Sequence, residues 1–306
     1  MSYYDLIIIG GGPAGLCAGL YATRAKLNAV LIEKGIPGGQ VLNTYEIENY
    51  PGFVNPLSGM ELISLMEQQV KRLGLEIISG QEIESVNLTK GIKEIITNTT
   101  TYNTKTVIIA SGSRPSKLGI PGEDNFKGRG VTYCATCDGP FFKDKKVVVI
   151  GGGNAAVEEG MYLTKFTKSV KIIHRRDKLR ADPIVQEKAF KNPKIEFIWN
   201  SVPIEILGDK KVEEIKIKNV KNSEITILKT DGVFIYIGFK ANTEFLKNQV
   251  KLDDNGFIIT DEDMKTSLPG VFACGDVRSK KVKQIVTAVS DGAIATISAQ
   301  KYLEDS

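Results

Sequence analysis

A single histidine and four cysteines in 306 residues leave few ligands for a metal ion. A structural zinc takes four Cys or His ligands from paired loops. Outside Cys134-Ala-Thr-Cys137 the remaining thiols, Cys17 and Cys274, stand in apolar segments and read as small buried hydrophobes. No metal is expected. No framework of cysteine spacings is present, which excludes a disulfide-stapled scaffold and points to a reducing, cytoplasmic compartment, where a CxxC is catalytic or metal-binding. Long hydrophobic runs are missing too. The N-terminus carries no basic segment and its apolar run breaks at Gly10, so neither a signal peptide nor a membrane span is expected. Charge of one sign is also lacking: 40 Lys and Arg against 36 Asp and Glu leave a net charge of +4. The tightest basic cluster is His174-Arg-Arg176 with Arg180, and a nucleic-acid surface needs a broader basic face.

What is present is an ordinary globular composition, 42% hydrophobic and 25% charged, with 30 glycines marking many tight turns. The length predicts two domains. Leu6 to Ile9, Ala14 to Lys26 and Ala29 to Ile32 read as strand, helix and strand; Lys146 to Ile150, Ala155 to Lys165 and Val170 to Ile173 repeat that pattern. The register of the repeat holds at each informative position: Gly10 to Gly151, Gly12 to Gly153, Gly15 to Ala156, Glu33 to His174. Elsewhere Met60 to Leu73 predicts a helix stopped by Gly74, while 82–109 and 195–236 read as short strands. Val271 to Cys274 reads as one more buried strand, and Gln284 to Tyr302 as a closing amphipathic helix. Pro115, Pro121 and Gly122 mark an exit from the first domain and Lys240 to Thr243 a return. The fold class expected is α/β, with two Rossmann-like dinucleotide-binding domains, the second inserted into the first. The boundaries expected are 1–114 and 243–306 for the first domain and 115–242 for the second.

Gly10-x-Gly12-x-x-Gly15 lies between a strand and a helix, where glycines permit a tight turn, close approach of a pyrophosphate and close helix packing. Glu33, ending the next strand, is placed to accept from ribose hydroxyls. The second turn, Gly151-Gly-Gly153-Asn154-Ala155-Ala156, carries alanine at the third glycine position, as the motif permits. Where the first unit has a carboxylate, the second has His174, Arg175, Arg176 and, further on, Arg180. Guanidinium groups bind a ribose 2′-phosphate that a carboxylate repels. This unit is therefore assigned to NADPH, against the alternative of a solvated basic strand end. Cys134 and Cys137 lie between the two turns, which suggests electrons passing from a nucleotide to a disulfide. Asp138 is either a turn former in Asp-Gly-Pro or, its pKa raised by partial burial, the general acid that dithiol formation needs.

In order and spacing, Gly10 to Gly15, Gly38-Gly-Gln40, Glu48-Asn-Tyr-Pro-Gly52, Ile120-Pro-Gly-Glu123, Cys134 to Asp138, Gly151 to Glu159, His174 to Asp177 with Arg180-Ala181, Gly275-Asp276 and Gln284 resemble the low-molecular-weight bacterial thioredoxin reductases. The resemblance spans the chain. It implies FAD on the first domain, held by Gly10, Gly12, Pro13, Ala14, Gly15, Glu33, Gln40, Asn49, Gly112, Gly275, Asp276, Lys283, Gln284 and Ile285. It also implies a homodimer, thioredoxin as partner, Cys137 facing the flavin and Cys134 attacking thioredoxin. Lys283, Ser290 and Ala241 depart from the family's usual Arg, Gly and Pro.

Because the thiols and the nicotinamide share one domain and both must approach the flavin, the inserted domain is expected to rotate about 113–118 and 240–244 between half-reactions. The competing readings are a reductase of the same fold fed by ferredoxin, a flavin oxidase that passes electrons to oxygen, and a non-catalytic flavin redox sensor.

Overall fold

The computed structural model describes residues 3–44, 47, 49–247 and 249–305, and of residues 43, 136 and 137 the backbone alone. The chain divides into two compact units, Met1–Arg114 with Lys240–Ser306, and Pro115–Phe239.

The first unit opens with β1 (Tyr3–Ile9), α1 (Pro13–Arg24) and β2 (Ala29–Glu33), followed by α2 (Gly59–Arg72), β3 (Glu76–Ser79), β4 (Ile83–Asn87), β5 (Lys93–Thr97) and β6 (Thr101–Ile109). β1 pairs in parallel with β2 on one side and β6 on the other, giving the order β3-β2-β1-β6-β5-β4. The long β6 has room for two partners on its far edge: its first half runs antiparallel to β5 and its second half parallel to the late strand Val271–Ala273. Leu6, Ile7 and Ile8 are fully buried because both faces of the sheet are covered. Leu6 and Ile8 pack among the helices, and Ile7 and Ile9 among Val86, Ile95, Leu246 and Ile258 on the opposite face. Ser58 caps α2 through a reciprocal pair with Glu61, its hydroxyl oxygen accepting the Glu61 N–H at 3.2 Å.

Short strands β7 (Ser113–Pro115) and, on the return, Phe239–Ala241 pair as a two-stranded ribbon. The second unit contains β8 (Val131–Thr132), the one-turn α3 (Ala135–Asp138), β9 (Lys146–Gly151), α4 (Asn154–Leu163), β10 (Ser169–Ile173), α5 (Pro183–Phe190) and β11 (Ile195–Ile198). It continues with β12 (Ser201–Gly208), β13 (Val212–Asn219), β14 (Ile225–Lys229) and β15 (Gly232–Tyr236). Its sheet, β11-β10-β9-β15-β8, is wholly parallel. One face is covered by α4, and the other by the antiparallel β12-β13-β14 through Ile206, Val212, Ile215 and Ile217. The return strand is β16 (Phe239–Ala241); β17 (Val271–Ala273) and α6 (Ile285–Glu304) then complete the first unit.

The return boundary falls before Lys240 rather than after residue 242. The cause is local. The Asn242 N–H donates to Gly112 O at 3.0 Å and its side-chain amide to Ser111 O at 2.8 Å, binding this segment to the first unit. Helix α5 goes beyond the sequence reading, which expected nothing regular between the second βαβ unit and residue 195.

α1 and α6 approach so closely that a Cβ on Gly292 would lie 2.2 Å from Ala14 O. Gly292→Ala must therefore push the helices apart, and such overpacking costs about 1–3 kcal/mol. The expected result is a lower thermal midpoint; an unchanged midpoint would show that the helices yield freely.

Candidate functional site: two dinucleotide cradles and a disulfide turn

In each unit the glycine turn leaves the end of a central strand whose neighbours continue the chain in opposite directions, the crevice where open parallel sheets bind ligands. At the first, Gly10 has φ +106° and a Cβ there would lie 2.5 Å from Ala110 O, so only glycine fits. A Cβ on Gly15 would strike Gly10 O at 1.9 Å, which keeps α1 tight on β1. A Cβ on Gly12 meets nothing within 4 Å. Pro13 opens α1, and no acidic residue occupies its first turn. This is an open, positively polarised helix end, suited to a pyrophosphate.

Around it the expected residues converge. Glu33 accepts from Gly11 N–H at 2.6 Å and from Gly35 N–H at 3.0 Å; a carboxylate has further lone pairs for ribose hydroxyls. The Gly38 N–H donates to Gly11 O at 2.8 Å, placing Gln40 next to the turn, where it is exposed. Gly275, at φ +75°, would set a Cβ 2.7 Å from the Ala14 Cβ, so Asp276 stands beside α1. Asp276 has a buried Oδ1 without a hydrogen-bond partner, and burial raises its pKa. Such an oxygen costs free energy unless a ligand donor meets it. The Asn49 amide donates to Gln284 Oε1 at 3.2 Å, joining two expected flavin contacts distant in sequence. Ile285 begins α6, and Gly112 accepts from Asn242 in the return segment. Glu48 lies outside the described residues. Lys283, in place of the usual Arg, donates to Asp276 O at 2.7 Å and Arg278 O at 3.3 Å, with its ammonium 3.9 Å from the Phe257 ring centroid. Burial lowers its pKa, while Asp276 opposes that shift.

The second cradle has the same construction. A Cβ on Gly151 would lie 2.4 Å from Tyr236 O; one on Gly153 would meet nothing. Ala156 is buried against Gly151, while Ala155 is exposed. Asn154 pairs with Asp182 in both directions, donating to its carboxylate at 2.8 Å and accepting its backbone N–H at 2.7 Å. Arg180 is drawn to the turn by its own N–H, which donates to Gly152 O at 2.6 Å; Arg175, Arg176 and Arg180 are all exposed. His174 differs from them. It is 5% exposed and lies under Gly152, whose Cβ would come within 2.3 Å of its ring. Burial first, and then the neighbouring arginines, lower its pKa, and its Nε2 has no partner. It forms the floor of the turn, while the arginines stand exposed around it.

Two residues the sequence reading left without a role complete this cradle. Glu159 on α4 has a buried Oε2 without a partner, and burial pushes its pKa up to about 7. Tyr236 ends β15, and its phenol oxygen accepts the Ala135 N–H at 2.6 Å. Neither was legible as a contact. The Tyr236 partner lies 101 residues away.

Cys134 is half-buried and disulfide-bonded, while Cys17 and Cys274 are buried free thiols whose pKa values burial raises, that of Cys17 to about 11. The side chain of Cys137 lies outside the described residues. Thr132 organises the turn: its hydroxyl oxygen accepts the Cys134 N–H at 3.1 Å, and the hydroxyl donates to Asp138 Oδ2. Asp138 is half-buried, with its N–H donating to Cys134 O at 3.2 Å. Upstream, the Tyr133 hydroxyl donates to the buried Glu123 at 2.6 Å. Among the described residues no cluster of His, Cys, Asp and Glu could hold a metal, and no helix is long and apolar enough to cross a membrane.

A family model described as pyridine nucleotide-disulphide oxidoreductase matches residues 4–292. The chain belongs to that family. Among its members, the thioredoxin reductase of Listeria monocytogenes is 50% identical over 303 residues, covering 99% of this chain and 94% of the relative. The thioredoxin reductase of Peptoclostridium acidaminophilum is 49% identical, covering 98% and 97%. In structure the chain is similar to Lactococcus lactis thioredoxin reductase, with a TM-score of 0.90 and 48% identity over 99% of this chain and 100% of that one. Membership makes the protein an oxidoreductase with paired Rossmann-like domains, and the family's flavin and pyridine nucleotide fit the two cradles.

Two predictions follow from the second cradle. If Arg175 and Arg176 hold a 2′-phosphate, Arg175→Ala with Arg176→Ala removes two charge-assisted contacts of about 1.5–3 kcal/mol each. The preference for NADPH over NADH, measured as a ratio of kcat/KM, should fall by about two to four decades; an unchanged ratio would refute the phosphate site. Glu159→Gln tests the buried carboxyl. Its folded pKa is raised, so its contribution is favourable below the ordinary carboxyl range and is lost as pH rises through about 7. The glutamine variant should then be more stable than the parent at pH 8, by at most about 3 kcal/mol, and equal to it near pH 4. Denaturant titrations at the two pH values check this.

Proposed function

We propose that the protein is an NADPH-dependent thioredoxin reductase, a homodimeric cytoplasmic flavoprotein that moves two electrons from NADPH to the disulfide of thioredoxin. The observation carrying this reading is the paired arrangement of sites. The carboxylate cradle of the first unit suits FAD, the arginine-rimmed cradle of the second suits NADPH, and the second unit also carries the Cys134 disulfide. Kinship with relatives named thioredoxin reductase supports the choice of acceptor. The free thiols Cys17 and Cys274 fit a reducing compartment. Exposed Phe53, Val54, Met60 and Leu65 give the first unit apolar surface for a second copy.

FAD, when bound, accepts the electron pair from NADPH and delivers it to the disulfide. The protein's own groups do the rest. α1 orients the pyrophosphate, Glu33 the ribose, and Asp276 offers its unpaired oxygen to a hydroxyl. Arg175, Arg176 and Arg180 select the 2′-phosphate. Once reduced, Cys134 attacks a thioredoxin sulfur as the thiolate and forms a mixed disulfide. Cys137 then displaces the reduced thioredoxin and restores the internal disulfide. Asp138, held by Thr132, handles the proton. The balance is NADPH, one proton and thioredoxin disulfide going to NADP⁺ and thioredoxin dithiol.

Phe141, 73% exposed, and a cleft lined by Arg129, Asp138, Lys145, Lys211 and Asp231 offer thioredoxin a docking surface on the unit that carries the thiols. Because disulfide and nicotinamide share one unit and use one flavin, the second unit rotates between half-reactions about the paired β7 and β16 segments. On the first-unit side these segments are fixed by Arg114, which donates to Asn242 Oδ1 at 2.5 Å and pairs with Glu244.

Cys134→Ser separates the half-reactions. Flavin bleaching by NADPH should persist at the parent rate while thioredoxin reduction falls to background. Continued turnover of thioredoxin would overturn the assignment.

A further inference from the structure

We infer that Tyr236 is a positioning residue for the disulfide turn, holding the Cys134–Ala135 peptide in the arrangement that favours the closed disulfide over the open dithiol. This rests on the reading of Cys134 as a redox centre. Ala135 is 1% exposed, so its N–H needs a protein partner, and the Tyr236 phenol oxygen supplies one at 2.6 Å. The tyrosine is well placed to act as an anchor. It closes β15, where its backbone pairs in parallel with Gly151 at the heart of the sheet, and a side chain at 151 would strike its carbonyl.

Among the described residues the segment has further ties, one of them from the end of β8. Thr132 binds the Cys134 N–H and Asp138, and Tyr133 binds Glu123 from the preceding connection. The phenol ties the first peptide after Cys134 to the end of β15. Burial, with Glu159 and then Asp138 adding to it, raises the phenol's pKa, while the Ala135 bond opposes the shift.

The direction of the effect follows from linkage. Two electrons and two protons open the Cys134 disulfide to thiols and release the covalent restraint on the turn. The bond to Tyr236 is formed in the disulfide state, and its occupancy falls when the turn is freed. Such a contact stabilises the oxidised form more than the reduced one. Removing the hydroxyl therefore makes the disulfide easier to reduce. A neutral hydrogen bond of ordinary net strength corresponds to a shift of about three- to tenfold in the dithiol–disulfide constant, and tenfold is about 30 mV.

The test is Tyr236→Phe, which keeps the ring and removes the oxygen, made in the full-length flavoprotein. Parent and variant are equilibrated in mixtures of reduced and oxidised glutathione and the thiols are quantified by alkylation. The constant should move about three- to tenfold toward the dithiol. A constant within twofold of the parent would overturn the inference. Amide exchange at Ala135 gives a second reading: protection should fall in the variant, and more so in the dithiol form. Equal protection in parent and variant would count against it. The glutathione equilibrium involves neither NADPH nor thioredoxin. Failure of the parent to reduce thioredoxin would thus overturn the proposed function and leave this comparison standing.

Discussion

The close approach of backbone to backbone at two glycine turns is the constraint on which the rest of the molecule depends. At Gly15 and Gly10 the separation leaves no room for a side-chain carbon, and at Gly151 the chain passes against Tyr236 in the same way. Only because these contacts are bare can α1 and α4 start immediately at the strand ends and present free N–H groups to a phosphate. The same tightness reaches outward. Gly292 lets α6 lie on α1, and Gly275 lets the segment carrying Asp276 come beside Ala14. A larger residue at any of these positions would displace a helix end and, with it, the polar groups around the crevice.

Given two cradles of one design, function is divided by what stands at the end of the second strand. Glu33 is drawn inward by two backbone N–H groups, whereas Arg175 and Arg176 are left in solvent. A carboxylate fixed by backbone donors rejects a phosphate, and exposed guanidinium groups attract one. Under the proposed function, two turns of one design thus serve different nucleotides. Burial finishes the division. Asp276 and Glu159 each keep a buried oxygen without a hydrogen-bond partner, a cost to the folded state that raises both of their pKa values.

Much of this was legible from the residues. The parallel strands are near-continuous apolar runs because both of their faces are covered, so Leu6 to Ile9 and Val147 to Ile150 stood out, and the glycines after them fixed the turns. The repeat then aligned Glu33 with the basic strand end. Helix α5 was illegible because its apolar residues form no single stripe: Val185 and Ala189 are buried while Ile184 and Phe190 face solvent. A helix-start signal was nonetheless present in Asp182-Pro183, with proline in the first turn. His174 aligned with Glu33 and was grouped with the arginines, yet its burial under Gly152 is a packing outcome that no spacing reveals. Thr132, Glu159 and Tyr236 were missed because their roles arise from contacts across the fold, and Tyr236 ended what read simply as a buried strand.

The central claim is that electrons run from NADPH on one unit, through a flavin on the other, to the Cys134 disulfide and out to thioredoxin. Rapid mixing of the FAD-loaded protein with NADPH and oxidised thioredoxin, following flavin absorbance and thiol release together, tests it most directly. The account predicts flavin bleaching followed by release of one thioredoxin dithiol per NADPH over many turnovers. Bleaching with no thioredoxin thiols, or NADPH consumed with oxygen as the sole acceptor, would contradict it.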